Sequence, residues 1–310
     1  MSEAPSKVVL SGASGMLGSS LRHALAARGI PVLQLVRGTQ PVQDQILWDP
    51  SADPAIENTA PLEGCGAAIH LSGANVAAHR WTPAYRHEMT TSRVDSTRAL
   101  ARLLASLRTP PATLLVASAV GFYGDRGNQL LDETSLPGSG FLAELCQQWE
   151  AAAQPAVDAG IRVVHLRFGV VLGPGPGALA RMLPIFRLGL GGRLGSGRQW
   201  MSWISIEDAM RAILFVLETP SLAGPVNLTA PNPVTNAEFA RALAHALKRP
   251  ALLPAPAFAL RLALGRMADE ALLASVRAVS MRLLVAGFRF AHPTVDRALA
   301  AALGHLVPQK

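Results

Sequence analysis

The stretch Gly12-Ala13-Ser14-Gly15-Met16-Leu17-Gly18 follows directly on the run Lys7-Val8-Val9-Leu10-Ser11. An apolar run, a glycine turn and an amphipathic segment, in that order, predict a β-strand, a tight turn and a helix. In such a turn the first glycine permits the bend, the second lets the backbone approach a pyrophosphate, and the third lets the helix pack on the strand. The free N–H groups of the helix would face the phosphates. A glycine turn with only a structural role is the alternative.

A second predicted strand, residues 31–36, ends at Arg37. Dinucleotide-binding folds carry an acidic residue at this point, which binds the ribose 2′-hydroxyl. An arginine instead forms charge-assisted hydrogen bonds to a 2′-phosphate, which a carboxylate would repel. Arg37 therefore favours NADP(H) over NAD(H). The alternative is a solvated arginine at a strand end.

Strand-like and helix-like segments continue to alternate after this first unit. The predicted strands are residues 45–48, 67–71, 113–117, 161–166 and 225–228, and the predicted helices are residues 92–107, 141–159 and 204–217. Such alternation predicts an α/β fold, a Rossmann doubly wound parallel sheet. Ligands of these folds bind at the carboxyl ends of the strands, where Ser72, Ser118 and Arg167 stand.

The chain is longer than a usual single domain, which predicts two domains. We expect residues 1–174, with residues 204–230 returning to them, to form the NADP-binding Rossmann domain. Residues 175–203 and 231–310 would form a smaller, mainly helical substrate or lid domain. The segment 182–203 is rich in glycine and aromatic residues, which favours a loop or small helix that covers the substrate.

Composition narrows the class of protein. The net charge is +7, and almost all of the basic residues are arginines, with lysine only at positions 7, 248 and 310. The basic residues do not cluster along the sequence as nucleic-acid binding would require. No apolar run approaches the roughly 18 residues of a membrane span, and no basic and apolar leader opens the chain, so we expect a cytoplasmic protein without a membrane partner. Cys65, Cys146 and the histidines show no metal-ligand spacing, so no metal site is expected.

Several segments together resemble the extended short-chain dehydrogenase/reductase superfamily. The resemblance is to its epimerase-like branch, the NAD-dependent epimerase/dehydratase family, with a small C-terminal domain of unknown function, and it covers nearly the whole chain. The segments that carry it are residues 11–18, 92–97, 121–125, 166–173, 186–192, 195–199 and 203–208.

The resemblance implies that the chain binds NADP(H) and identifies the residues that would contact it. The cofactor phosphates would contact the glycine turn, at Gly12, Ser14, Gly15, Met16, Leu17 and Gly18. The adenosine side would contact Val36 and Arg37 at the end of the second strand, and the ribose would contact Leu71, Ser72 and Gly73 at the end of the 67–71 strand. Four further positions also match cofactor contacts: Glu88, Arg93, Arg167 and Val171. For Glu88 and Arg93 a structural ion pair is the alternative.

One departure from the superfamily concerns catalysis. Its members use a tyrosine and a lysine four residues later, because the lysine charge lowers the pKa of the phenol. The matching positions here are Phe141 and Leu145. The only tyrosines, Tyr85 and Tyr123, lack a lysine at that spacing, so the usual acid/base pair is absent.

Ser118 and Tyr123 are the remaining candidates for catalysis. Ser118 matches the serine that hydrogen-bonds the reacting carbonyl, and Tyr123 is close enough in sequence to the crevice to donate a proton. The alternative is that Ser118 is a small residue at a strand end and that Tyr123 packs in the wall.

Two functions of different classes follow. The first is an NADP(H)-dependent, epimerase-like oxidoreductase with an altered active site, acting on a small molecule for which the resemblance implies a nucleotide-sugar-like class. The second is a non-catalytic NADP(H)-binding sensor or scaffold. A homodimer through residues 92–107 and 141–159 is expected by analogy only.

Overall fold

A computed structural model describes residues 5–38 and 41–304. They divide into two compact units that interleave along the chain. Unit 1 comprises the described residues of Met1–Ser118, Leu145–Leu166 and Ile213–Val226, and unit 2 comprises those of Ala119–Glu144, Arg167–Ala212 and Asn227–Lys310. The assignment of residues 175–203 and 231–310 as a substrate or lid domain stays a prediction.

Strands and helices alternate through residue 228, and helices dominate after it. The strands are β1 Val8–Ser11, β2 Val32–Val36, β3 Gln45–Leu47, β4 Ala67–His70, β5 Thr113–Ala119, β6 Leu130–Leu131, β7 Arg162–Phe168, β8 Val170–Leu172, β9 Trp200–Met201, β10 Trp203–Ser205, β11 Gly224–Leu228, β12 Val234–Thr235 and β13 Arg277–Ala278. The α-helices are α1 Met16–Ala26, α2 Pro83–Ala105, α3 Phe141–Ala151, α4 Gln154–Asp158, α5 Ala178–Arg187, α6 Ile206–Glu218, α7 Asn236–Leu247, α8 Ala257–Leu264, α9 Met281–Val285 and α10 Val295–Ala302.

Seven strands form one sheet in the order β11-β7-β5-β4-β1-β2-β3. The ladders from β3 to β5 are parallel, with Val8 of β1 opposite Val32 of β2 and Ala67 of β4. All residues of β1 and β4 are buried, as expected for strands covered on both faces. The strand order reverses between β1 and β4, and ligands of open α/β sheets bind outside the strand ends at such a point. The doubly wound parallel sheet predicted from the sequence is confirmed.

Helix α2 begins nine residues before the predicted start at residue 92. The side chain of Thr82 caps it by accepting a hydrogen bond from the Tyr85 backbone N–H, and Pro83 occupies the first helical position. Threonine followed by proline is a helix-start signal, because proline lacks an N–H that the first turn would leave unpaired anyway. The prediction missed this signal.

The single helix predicted over residues 141–159 is two helices, α3 and α4. Pro155 lies in the first turn of α4, where its missing N–H is tolerated, but it could not continue α3. The strands β5 and β7 each end two residues later than predicted. Ser118 and Arg167 therefore lie inside strands and not beyond their ends.

Unit 2 packs short strand pairs and helices around its own core. β8 pairs with β10, β9 with β12, and β6 with β13. The fully buried side chains of this core include Trp203 and Leu243, with Phe239 almost as buried. In the predicted 182–203 loop, the first residues belong to α5, and the last residues include β9 and the first residue of β10. The mainly helical C-terminal region, α7 to α10, is confirmed, and none of the helices described is long and apolar enough to cross a membrane.

Candidate cofactor site

Two glycines of the turn between β1 and α1 are required by the packing of unit 1. Gly12 has φ +72, and a Cβ there would lie 2.7 Å from the carbonyl carbon of Leu71. A Cβ on Gly18 would lie 2.1 Å from the Gly12 carbonyl oxygen. Both neighbouring atoms are backbone and cannot move aside. The first glycine therefore allows the turn to approach the end of β4, and the third allows α1 to pack closely on the turn.

Gly15 differs from both, because no protein atom requires a glycine there. Its φ is −71, and the nearest atom to a Cβ would be the Gly12 carbonyl oxygen at an ordinary 3.5 Å. Gly15 is also exposed. A glycine that the protein does not need for itself leaves room for a ligand to approach the backbone.

The N-terminus of α1 is open to an anion. Gly15 occupies the capping position without a side-chain hydrogen bond, and the first turn carries no acidic residue. The positive end of the helix dipole and the N–H groups of Met16, Leu17 and Gly18 are the elements that bind phosphate in dinucleotide folds. The residues present fit a dinucleotide pyrophosphate.

Hydrogen bonds from helix α2 hold the loop that follows β4 in place. Arg93 Nη2 donates to the Ala74 carbonyl oxygen at 2.7 Å, the Ala74 N–H donates to Ser92 Oγ at 3.1 Å, and the Tyr85 hydroxyl donates to the Asn75 carbonyl. These bonds hold the backbone around Ser72 and Gly73, where the ribose was expected.

Arg93 is buried, and its contacts differ from the ion pair weighed as an alternative. Its Nη1 donates to the Met89 carbonyl oxygen at 3.2 Å, and its guanidinium lies 5.1 Å from the centre of the Trp149 ring. Glu88 is exposed. In this structure Arg93 therefore positions the loop through backbone carbonyls, and cofactor contacts of Glu88 and Arg93 stay predictions.

Arg37 is exposed at the end of β2 and lines a cavity of about 690 Å³ together with Gly38, Trp48 and Asp49. Hydrogen bonds from Ser51 lower the pKa of the Asp49 carboxyl most, and the charge of Arg37 lowers it further. The guanidinium thus lies beside an open cavity at the sheet edge. Its position is that of a residue that could receive a phosphate on the adenosine side.

A buried histidine joins the ends of β1 and β4 beneath the glycine turn. His70 Nδ1 lies 2.5 Å from Ser11 Oγ, and His70 Nε2 lies 3.1 Å from Ser96 Oγ of α2. Burial lowers the pKa of His70 to about 4, so the ring is neutral at pH 7. The residues that follow Ser11 and His70 are Gly12 and Leu71, so this chain of hydrogen bonds supports the cradle.

Phe141 and Leu145, the positions expected to match the tyrosine and lysine of the superfamily, both carry apolar side chains. Phe141 is the first residue of α3, and Leu145, one turn later, is buried. Neither side chain can exchange a proton. Ser118, in β5, is buried and donates its hydroxyl proton to Glu150 Oε1 at 2.7 Å. The only donor of Ser118 is therefore directed at a carboxylate of unit 1.

Tyr123 is fully buried in unit 2. Its hydroxyl donates to Asn227 Oδ1 at 2.8 Å and accepts from Arg167 Nη1 at 3.1 Å. Burial raises the pKa of the phenol, and the Arg167 charge offsets this only in part. A phenol with no exposed surface and both hydrogen-bonding capacities filled supports the alternative, that Tyr123 packs in the wall.

Tyr123→Phe is expected to lower stability and to leave chemistry unchanged. The substitution deprives a buried amide and a buried guanidinium of a partner, which costs about 1–3 kcal/mol of unfolding free energy. Urea denaturation measures that loss. A fall in turnover per folded molecule, with stability unchanged, would restore Tyr123 as a proton donor.

The two further residues expected at the cofactor lie in unit 2. The Arg167 guanidinium is buried 3.5 Å from the centre of the Phe122 ring. Val171 is half-buried in β8, opposite Ile204 of β10. Their cofactor contacts stay predictions. Within residues 5–38 and 41–304 no three His, Cys, Asp or Glu side chains are placed to hold a metal ion.

The model of the NAD dependent epimerase/dehydratase family matches residues 8–228. The chain belongs to this family. A second model, a domain of unknown function named DUF1731, matches residues 255–302. The family expected from the sequence is thereby confirmed.

Individual members of the family are similar over nearly the whole chain. An epimerase family protein of Mycobacterium bovis is 45% identical over 295 residues, covering 95% of this chain and 97% of that protein. Epimerase family protein SDR39U1 of Bos taurus is 39% identical over 297 residues, covering 94% and 98%. The crystal structure of human SDR39U1 (isoform 2) with NADPH superimposes with a TM-score of 0.88 at 34% identity, covering 97% of this chain and 100% of that one.

Sequence reasoning missed two parts of the site of this epimerase family protein. His70 ends an apolar run, and a histidine at the end of a buried strand was the available signal. Glu150 lies far along the helix from Phe141, and nothing in the sequence pairs it with Ser118. Such a contact depends on packing between distant segments.

Proposed function

We propose that this chain binds NADPH at the glycine turn and uses it to reduce a small electrophilic substrate. The space left open at Gly15 carries the proposal, and the exposed Arg37 beside its cavity adds the preference for the 2′-phosphate. Human SDR39U1, which is similar over its whole length, was crystallised with NADPH. Gly12, Ser14, Gly15, Met16, Leu17 and Gly18 would hold the phosphates, Val36 and Arg37 the adenosine side, and Leu71, Ser72 and Gly73 the ribose.

The lack of a proton-accepting side chain at positions 141 and 145 favours reduction over epimerisation. NADPH supplies a hydride when bound. Oxidation of an alcohol, the first step of a sugar epimerisation, needs a base for the hydroxyl proton, and Phe141 and Leu145 provide none. Reduction of a carbonyl needs only a proton afterwards, which water can deliver slowly. The chain's own residues thus support binding and orientation better than proton transfer.

A nucleotide-sugar-like compound is the first substrate class to test. A protein named as a nucleoside-diphosphate sugar epimerase, from Corynebacterium glutamicum, superimposes with a TM-score of 0.78 at 34% identity, covering 97% of this chain and 59% of that one. Closure of residues 182–203 over the substrate, a homodimer through residues 92–107 and 141–159, and a cytoplasmic location stay predictions.

Arg37→Asp is expected to abolish a preference for NADPH over NADH. Charge-assisted hydrogen bonds contribute about 1.5–3 kcal/mol, so the unaltered protein should discriminate at least about tenfold. Calorimetric titration with each nucleotide measures the ratio. Arg98→Asp, an exposed arginine of α2 in the same unit, is the control for charge and should keep the preference. Equal affinity of the unaltered protein for both nucleotides would contradict the assignment.

Restoring the proton relay tests whether the site reacts. The double variant Phe141→Tyr with Leu145→Lys should raise NADPH consumption over a panel of carbonyl compounds and nucleotide sugars by roughly 10²–10⁴, the usual worth of general acid catalysis. Phe141→Tyr alone is the matched control, because it restores the phenol without the lysine that lowers its pKa. Circular dichroism and NADPH binding establish that each variant is folded.

A sensor or scaffold is the second candidate. Two observations favour it. The Ser118 hydroxyl already donates to Glu150, and the Tyr123 hydroxyl already bonds both Asn227 and Arg167, so neither side chain is directed at a substrate. If neither the native chain nor the two variants consume NADPH while all bind it, this candidate replaces the reductase.

A further inference from the structure

Unit 2 exposes seven large apolar side chains from two neighbouring segments. One segment is the end of α5 with the loop after it, and the other runs from residue 250 through α8. We call these residues the apolar face: Ile185, Leu188, Leu190, Leu252, Leu253, Phe258 and Leu262. Helix α8 is apolar at every position but Arg261, and none of its residues is buried. Isolated exposed leucines are common, but a cluster of this size needs a partner.

Backbone hydrogen bonds place the two segments side by side. The Leu253 N–H donates to the Gly191 carbonyl oxygen at 3.3 Å, and the Gly195 N–H donates to the Ala255 carbonyl oxygen at 2.8 Å. Leu194 and Ala255 form an isolated β-bridge between them. The two segments that carry the exposed leucines are therefore neighbours in the fold, and α8 begins directly after the second contact.

The same segments carry only positive charge. Residues 178–206 contain Arg181, Arg187, Arg193 and Arg198 and no acidic residue. Residues 239–268 contain Arg241, Lys248, Arg249, Arg261 and Arg266 and again none. The acidic residues that flank the two stretches in sequence are Glu207, Glu238, Asp269 and Glu270. Asp269 pairs with Arg261 at 2.8 Å. Hydrogen bonds from Thr235, and to a smaller extent the charge of Arg241, lower the pKa of the Glu238 carboxyl. The two stretches that carry the apolar face are thus basic.

A cavity of about 180 Å³ lies at the edge of the apolar face. Arg193 and Arg241 line it, above a floor that includes Ala240 and Leu252. Arg193 Nη1 donates to the Ser196 carbonyl oxygen at 2.8 Å, which orients the guanidinium. Two arginines over an apolar floor suit a phosphate attached to an apolar body.

We propose that unit 2 docks on an anionic lipid bilayer through the apolar face, with Arg193 and Arg241 receiving a lipid phosphate. Apolar side chains that enter the acyl boundary beside arginines that meet anionic headgroups are the physical pattern of peripheral membrane binding. A second copy of the chain is disfavoured as the occupant, because two basic surfaces repel each other. The proposal departs from the expectation of no membrane partner, which rested on the lack of a long apolar run. The residues of the apolar face are distributed over two short stretches and form no such run.

Co-sedimentation with vesicles tests the proposal on the full chain. We expect binding to vesicles of phosphatidylcholine mixed with phosphatidylglycerol, none to phosphatidylcholine alone, and release by salt. Phe258→Ser with Leu262→Ser should weaken binding about tenfold or more, because both side chains leave water on docking. Arg193→Gln with Arg241→Gln should weaken it roughly 25-fold, at about fivefold for each charge.

The controls change matching residues outside the surface. Leu136→Ser alters a leucine that is 76% exposed, against 72% for Phe258 and 79% for Leu262. Arg108→Gln alters an arginine whose side chain is 92% exposed. Both should bind vesicles like the unaltered protein. Equal binding to neutral and anionic vesicles, no binding to either, or a solution dimer that the Phe258 and Leu262 substitutions dissociate would overturn the proposal.

Discussion

Gly18→Ala is expected to destabilise the protein by about 3 kcal/mol or more, while Gly15→Ala changes stability by less than about 1 kcal/mol. The added methyl of Gly18→Ala would lie 2.1 Å from the Gly12 carbonyl oxygen and 2.8 Å from the Ala13 Cα, so α1 would have to leave the turn. The methyl of Gly15→Ala meets no atom closer than 3.5 Å. Urea denaturation of both variants measures the difference.

Gly15→Ala, which has the smaller effect on stability, is expected to have a large effect on NADPH binding. Gly15→Ala should remain folded and yet lose NADPH affinity by about tenfold or more, because its methyl occupies the place where the backbone approaches a pyrophosphate. Ser20→Ala, at a half-buried position of α1 that is not expected to contact the cofactor, is the control for a small change in the same helix and should keep its NADPH affinity. Unchanged affinity in Gly15→Ala would remove the main support for the cradle.

The fold was predictable because its signals are local. The glycine turn, the apolar strands and the alternation with helices each occupy a short window, and β1 to β5 fell within two residues of their predicted bounds. Where prediction was wrong, as in α2 and α3, a threonine cap and a proline were also local signals that had been given too little weight. The strand pairs of unit 2 are only two or three residues long, too short to show a period.

The candidate site was predictable only in part, since proton chemistry depends on contacts between distant segments. That neither tyrosine of the chain has a lysine four residues later could be read directly from the sequence, and the match of Phe141 and Leu145 to that pair stays a prediction. The surroundings of Tyr123 could not, because Asn227 and Arg167, which fill its hydrogen bonds, are 104 and 44 residues away. Tyr123 was suggested as a proton donor because it is close in sequence to residues expected at the crevice. Its burial and its two hydrogen-bond partners indicate instead that it has a packing role.

His70 is expected to make the protein sensitive to mild acid. Burial lowers its pKa from 6.5 to about 4 in the folded state, so between these values the unfolded chain binds a proton that the folded protein does not. Stability is therefore full above about pH 6.5, falls as the pH is lowered towards 4, and loses no more from this group below that. A shift of this size corresponds to about 3 kcal/mol, at roughly 1.4 kcal/mol for each pH unit.

The contribution of His70 can be separated from that of the carboxyl groups by comparing two histidines. His70→Gln keeps a polar side chain near Ser11 and Ser96 but cannot titrate, so its unfolding free energy should fall by about 3 kcal/mol less than that of the unaltered protein between pH 7 and pH 4. His87→Gln, at an exposed position of α2, should follow the unaltered protein over the same range. The carboxyl groups titrate in all three proteins, so their contribution cancels in the difference. Equal acid sensitivity of all three proteins would mean that protons reach His70 in the folded state, and that the ends of β1 and β4 open under the glycine turn before the protein unfolds.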